Sequence, residues 1–124
     1  MEKTKPSLLL IDDEAAIGMI VRIQFEKDYE LTMLTNGLNG MKWISAGNIP
    51  DIIVLDLNMP EMNGIDFLKE VRKLNYFKKT PMIVLSGEDS SAKRIEAFKN
   101  GADDFINKPF NPIELRVRME RFLK

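Results

Sequence analysis

The sequence contains no cysteine and no histidine. The first absence excludes disulfides, thiolate metal sites and thiol nucleophiles. The second excludes a Ser-His-Asp triad, an imidazole metal site and any phosphohistidine on this chain. No apolar run approaches the ~18 residues that a membrane span needs. The opening Met1-Glu2-Lys3-Thr4-Lys5-Pro6 lacks the apolar segment of a secretory signal. A cytoplasmic domain that does not enter a membrane is therefore expected. Positive charge is not in surplus either. The net charge is −1, so direct nucleic-acid binding, which needs a basic surface, is not expected. No internal repeat, low-complexity tract or linker breaks the chain. Its 124 residues suit a single domain, 1–124, built on one core.

What is present centres on one stretch. Ile52-Ile53-Val54-Leu55 is an unbroken apolar run, too short for a helix and suited to a strand buried on both faces. It ends on a carboxylate, Asp56, and Pro60 and Gly64 then turn the chain. A buried carboxylate without partners is costly, so partners are expected nearby. Two other runs share the design. Leu8-Leu9-Leu10-Ile11 ends on Asp12-Asp13, and Met82-Ile83-Val84-Leu85 ends on Ser86-Gly87.

In chain order, a first strand over 7–11 leads into a helix over 12–26. Asp12, Asp13 and Glu14 open that helix, where acids complement its dipole. Ile17, Ile20, Val21 and Phe25 fall at core spacing. Ala15, Met19 and Ile23 form a second apolar row, best explained by a helix tucked deeply against its neighbours, with a partner-docking surface as the sharper alternative. A second strand covers 29–34 and a second helix 38–46, with Trp43 as a half-buried packing residue and Gly47 at its end. Asn63 caps a third helix over 63–74, and 75–80 reads as a polar connection. Pro81 starts the fourth strand. Ser90 caps a fourth helix carrying Ile95 and Phe98. Residues 104–106 form a short fifth strand. Asn111 and Pro112 start a fifth helix with Leu115, Met119, Phe122 and Leu123 on one side. Arg116, Arg118, Arg121 and Lys124 read as its solvated face.

Strands alternate with helices five times, which predicts an α/β fold: a doubly wound, five-stranded parallel sheet with five helices on its two faces. In such sheets ligands bind beyond the carboxyl ends of the strands. Asp12, Asp13, Asp56, Ser86 and Lys108 all follow strand ends. Crowded carboxylates call for a hard divalent cation on oxygen ligands: Mg²⁺, Mn²⁺ or Ca²⁺. Asp56 can act as a nucleophile toward phosphorus. Lys108 brings positive charge to phosphoryl oxygens and Ser86 a hydroxyl donor, and Gly87 leaves room beside it. Singly, each residue reads more simply as a turn, a cap or a loop lysine. Together, at successive strand ends, they describe a phosphoryl-transfer site.

The motifs Leu10-Ile11-Asp12-Asp13-Glu14, Leu55-Asp56-Leu57-Asn58-Met59-Pro60, Asn63-Gly64, Leu85-Ser86-Gly87, Gly101-Ala102-Asp103-Asp104-Phe105 and Lys108-Pro109-Phe110 occur in this order and spacing. In this the chain resembles the receiver domains of two-component response regulators, over essentially its whole length. The resemblance implies a flavodoxin-like strand order, 2-1-3-4-5. It implies that Asp56 is the phosphoacceptor and that Asp13, Asp56 and the backbone carbonyl of Asn58 bind Mg²⁺ (Mn²⁺ being the alternative ion), with Asp12 acting largely through water. It implies that Lys108 and Ser86 contact the phosphoryl group and that the Lys108–Pro109 peptide is cis. Ser86 and Phe105 would form a switch that alters the surface of the fourth helix, fifth strand and fifth helix. Side chains at Asn58 and Glu88 would tune phosphoryl lifetime.

Two departures stand out. Ser86 replaces a frequent threonine, and Phe105 replaces a frequent tyrosine, so ring burial without a phenolic hydroxyl must bias the switch. The function implied is a phosphorylation-dependent signalling switch, not an enzyme beyond its own phosphorylation and dephosphorylation. Its partners would be a histidine kinase or histidine phosphotransfer protein and an output partner that the sequence does not name. It would be a monomer or a phosphorylation-promoted dimer. One alternative is a small haloacid-dehalogenase-like phosphohydrolase. Such enzymes place an acid/base Asp two residues after the nucleophile, where this chain has Asn58, and carry a cap domain for which it has no room. The other is a phosphorylation-independent adaptor. Met19, with Ala15 and Ile23, marks a candidate kinase-docking surface, and Ile113 with Val117 a candidate output or dimer surface. A stand-alone receiver and a piece of a longer protein both remain open.

Overall fold

A computed structural model describes residues 5–88 and 90–123. Lys124, expected on the basic face of the last helix, lies outside the described residues. The elements are β1 (Ser7–Ile11), α1 (Ala15–Phe25), β2 (Glu30–Leu34), α2 (Gly37–Ser45), β3 (Ile52–Asp56), α3 (Gly64–Arg72), a 3-10 turn (Asn75–Phe77), β4 (Met82–Ser86), α4 (Ser91–Lys99), β5 (Asp104–Asn107) and α5 (Pro112–Phe122). The five strands form one sheet in the order β2-β1-β3-β4-β5, all pairs parallel. This is the order that the resemblance implied.

Alternation along the strands splits the core in two. Leu9, Ile11, Ile53, Leu55 and Val84 face one way and pack with Ile44, Leu68, Val71 and Ala97 from α2, α3 and α4. Leu8, Leu10, Ile52, Val54, Ile83 and Leu85 face the other way, onto Ile17, Val21 and Phe25 of α1 and Leu115 and Met119 of α5. β3 and β4 are buried throughout, as continuous apolar runs require. Three of the expected caps form. Asn63 accepts from the Asp66 amide, Ser90 from the Lys93 amide, and Asn111 from the amides of Ile113 and Glu114.

Several helix faces differ from expectation. α1 starts at Ala15, so Asp12, Asp13 and Glu14 precede it and no acid lies in its first turn. The deep tucking expected of this helix does not occur. Met19 is 64% and Ile23 72% exposed, Ala15 is exposed and Ile20 half-buried. In α4 the buried residue is Ala97, while Ile95 and Phe98 are exposed. A short helix with two large apolar residues does not define its inner face by spacing alone. Phe122 is also largely outside the core, at 37% exposure. Arg116 and Arg118 are not simply solvated. Arg116 pairs with Asp28 at 3.0 Å and lies over the Phe25 ring, and Arg118 pairs with Asp104 at 2.9 Å. The connection over 75–80 holds a buried aromatic, Phe77. Among the described residues no helix is long and apolar enough to cross a membrane.

Candidate phosphoryl-transfer and metal site

Backbone ladders extend past the strand ends and hold the polar residues that follow. The Asp12 amide donates to the Leu34 carbonyl at 3.0 Å, the Leu57 amide to Leu85 at 2.9 Å, and the Lys108 amide to Ser86 at 2.7 Å. Asp56 is the last residue of β3, in register with Leu85, and Ser86 ends β4 opposite Asn107 of β5. Gly64 closes the loop after Asp56. Its amide donates to the Leu57 carbonyl at 2.8 Å, and a Cβ there would lie 2.7 Å from the Asp56 carbonyl oxygen. Only glycine allows that approach. The rigid part of the molecule thus places Asp56 before any side chain acts.

Asp12, Asp13 and Asp56 each present a carboxylate oxygen within 4.8 Å of the others. Asp12 and Asp56 are buried, and Asp13 is exposed. The Glu14 amide donates to Asp12 Oδ1 at 2.8 Å. Asp12 Oδ2 is buried and accepts no hydrogen bond among the described residues; Lys108 Nζ stands 2.9 Å away as an ion pair. A buried carboxylate oxygen in that condition, within an all-oxygen donor set, fits a hard divalent cation. The cluster could hold one.

Lys108 is the cationic counterweight. Its Nζ lies 2.8 Å from Glu14 Oε1, 2.9 Å from Asp12 Oδ2 and 3.3 Å from Asp56 Oδ1. Its peptide bond to Pro109 is cis. Burial drives the Asp56 carboxyl up to about 6; the Lys108 charge opposes this and the Asp12 charge adds to it. Burial likewise raises Asp12, against the Glu14 amide and Lys108. Burial alone would lower Lys108, but its contacts with Glu14, Asp12 and Asp56 outweigh it, and its pKa rises. The ammonium is charged at neutral pH, while the two buried carboxylates bind protons more readily than free ones.

The remaining expected residues lie around this centre. Ser86 is wholly buried, and its Oγ accepts the Glu88 amide at 3.0 Å. A Cβ on Gly87 would meet nothing within 4 Å, so the space beside Ser86 is open. The Asn58 side-chain amide donates to Glu88 Oε1 at 3.0 Å, joining two exposed residues at the rim. Phe105 is not part of the acidic edge. Its ring is buried in the core under α4, with the Arg94 guanidinium carbon 5.5 Å from its centroid. Two participants were not anticipated. Glu14 was expected to serve the helix dipole and instead grips Lys108. Arg94 carried no signal in the sequence pattern.

Comparison with known proteins agrees with this geometry. The family model described as response regulator receiver domain matches residues 8–120. The transcriptional regulatory protein SrrA of Staphylococcus aureus (strain NCTC 8325 / PS 47) is 34% identical over 118 residues, covering 94% of this chain and 47% of that protein. The chain thus spans about half the length of the curated relatives it matches. Among solved structures, chemotaxis response regulator CheY4 of Vibrio cholerae superposes with TM-score 0.89 at 32% identity, covering 97% of this chain and 100% of that one. The receiver domain of Francisella response regulator 1452 gives TM-score 0.87 at 36% identity, with 96% and 97% covered. The strand-end acids, the lysine that pairs with them and the sheet order belong together: the chain is a member of the response regulator receiver domain family.

Proposed function

We propose that residues 1–124 form one phosphoacceptor domain that takes a phosphoryl group on Asp56 from a phosphohistidine of a histidine kinase or histidine phosphotransfer protein. The observation that carries this reading is Lys108 Nζ, 3.3 Å from Asp56 and 2.9 Å from Asp12, inside a cluster of three carboxylates. Mg²⁺, or Mn²⁺ in its place, would be held by Asp13, Asp56 and the Asn58 carbonyl, with Asp12 alongside, and when bound would neutralise charge on the carboxylates and the transferring group. An Asp56 carboxylate oxygen attacks phosphorus. The bond from phosphorus to the donor nitrogen breaks, its electron pair leaves on the imidazole, and an acyl phosphate remains on Asp56. Lys108 stabilises the phosphoryl oxygens from one side. Ser86 offers its hydroxyl, with Gly87 leaving the approach open.

Asn58 occupies the position where a haloacid-dehalogenase-like hydrolase has its acid/base, and its amide is engaged with Glu88. An amide does not transfer a proton, so the reaction ends at the phosphoprotein and its hydrolysis, without turnover of small phosphoesters. Asn58 and Glu88 set the lifetime by their place at the rim. The Ser86 hydroxyl and the Phe105 ring transmit the change to the surface of α4, β5 and α5, where an output partner or a second copy binds. The setting is cytoplasmic.

The test is incubation with acetyl phosphate and Mg²⁺, read by intact mass, and repeated with phosphorylated kinase as donor. One phosphoryl adduct is expected, lost in Asp56→Ala. No adduct from either donor, or an undiminished adduct in the variant, would sink the reading.

A further inference from the structure

We propose that Glu14 is a positioning residue: it draws the Lys108 ammonium away from the phosphoryl site and thereby sets that site's affinity for a phosphoryl group. The proposal rests on the reading of Asp56 as phosphoacceptor.

Glu14 occupies the N-cap of α1 with extended backbone, φ −83° and ψ 115°, yet its side chain makes no capping hydrogen bond. Good capping residues are short enough to fold back on the first turn. Glu14 reaches outward instead, to a lysine 94 positions later in the chain. Its root is fixed. The amide donates to Asp12 Oδ1 at 2.8 Å, and the carbonyl accepts from the amides of Ile17 and Gly18 at 3.1 and 3.3 Å.

An ammonium has three protons. Lys108 Nζ faces three carboxylates, at 2.8 Å from Glu14, 2.9 Å from Asp12 and 3.3 Å from Asp56. The contact with Glu14 is a hydrogen bond, those with Asp12 and Asp56 are ion pairs, and Asp56 is the most distant of the three. A phosphoryl group on Asp56 must recruit Lys108 from one of these acids. Asp12 and Asp56 belong to the cluster of carboxylates that a cation would share, and Glu14 does not. Glu14 therefore lies outside the group a cation would bind and competes with the phosphoryl oxygens for Lys108. Its side chain is 55% exposed while that of Lys108 is 10% exposed. Solvent screens such a pair, so the expected effect is about three- to fivefold.

The test compares the parent with Glu14→Gln, which keeps the length and removes the charge. Asp66→Asn serves as the control, an exposed acid in the groove beside Asn58. The probe is beryllofluoride at saturating Mg²⁺, its Kd measured by calorimetry, together with each variant's melting temperature. Glu14→Gln is expected to tighten Kd about three- to fivefold with its melting temperature little changed, the gain shrinking in high salt and absent in Asp66→Asn. An unchanged or weaker Kd in Glu14→Gln, or an equal gain in Asp66→Asn, overturns the proposal and leaves the phosphoacceptor reading standing. A parent that binds no beryllofluoride and takes no phosphoryl group overturns both.

Discussion

The Arg72 guanidinium donates from Nε and Nη2 to the Gly101 carbonyl, at 3.1 and 2.7 Å, locking the end of α3 to the loop before β5. The same side chain serves the carbonyls of Phe77 and Thr80 and the Asp103 carboxylate. Three backbone carbonyls from two connections thus depend on one side chain that is 17% exposed. Gly101 makes the fit possible. Its φ is 112°, and a Cβ would come within 2.6 Å of Arg72 Cγ. Arg72→Met is expected to cost about 2–4 kcal/mol, because it strands those acceptors. Gly101→Ala is expected to cost about 1–3 kcal/mol through backbone strain and collision. Urea unfolding measures both. A loss under 0.5 kcal/mol for Arg72→Met would show that water satisfies the carbonyls equally well.

Adding Mg²⁺ should stabilise the fold, because Asp12 Oδ2, paired with the Lys108 ammonium, is buried beside two further carboxylates and accepts no hydrogen bond among the described residues. At ten times its Kd the ion contributes about 1.4 kcal/mol, a rise of about 5 °C in melting temperature. Chelation with EDTA reverses it. Asp13→Asn removes the exposed member of the cluster with little effect on the metal-free fold, and should abolish most of the shift. An equal Mg²⁺ shift in that variant would place the ion elsewhere.

In metal-free protein Asp56→Asn should be more stable than the parent. Burial lifts the Asp56 carboxyl from 3.8 to about 6, so the folded state holds its proton more tightly than the unfolded chain. Stability from this group is greatest below about pH 4 and is lost as pH rises through 6. At pH 7 the charge carries its full penalty, of order 2–3 kcal/mol. Asn keeps the shape without the charge, and Lys108 retains Asp12 and Glu14 as partners. A gain of about 1–3 kcal/mol is expected at pH 7 in EDTA, vanishing toward pH 4. A variant that is less stable than the parent at pH 7 would mean that the Lys108–Asp56 contact outweighs the burial of the charge.

The fold was legible because short apolar runs ended on polar residues and alternated with capped helices. Asn63, Ser90 and Asn111 announced their helices, and five strand ends pointed to one edge. The cluster of Asp12, Asp13 and Asp56 with Lys108 followed from that topology alone. What was not legible depends on long side chains crossing between elements. Nothing local tells Glu14 to prefer Lys108 over its own helix, or Arg72 to bond carbonyls up to 29 residues on. Helix faces were the other weak point. Ala97 takes the inner face of α4, and Ile95 and Phe98 turn outward. Two apolar residues at helical spacing carry no sign of which side the sheet is on.

Met19 is the remaining surface with a clear expectation. With Ala15 and Ile23 it forms an apolar row on the outside of α1, and its exposure rules out a purely internal role. A groove of about 360 Å³ links this row to the acidic edge, lined among others by Asp13, Gly18, Met19 and Met33. A kinase helix that presents a phosphohistidine to Asp56 would lay its apolar face along this row. Met19→Asp should therefore slow phosphotransfer from a kinase by tenfold or more, as expected (about 1.4 kcal/mol or more) for a charge placed in an apolar contact. Small donors need no docking, so the rate with acetyl phosphate should change less than twofold. Measuring both rates on the same preparation decides the matter. Equal slowing with the two donors would mean that Met19 acts on the site itself, through the start of α1, and that the docking surface lies elsewhere.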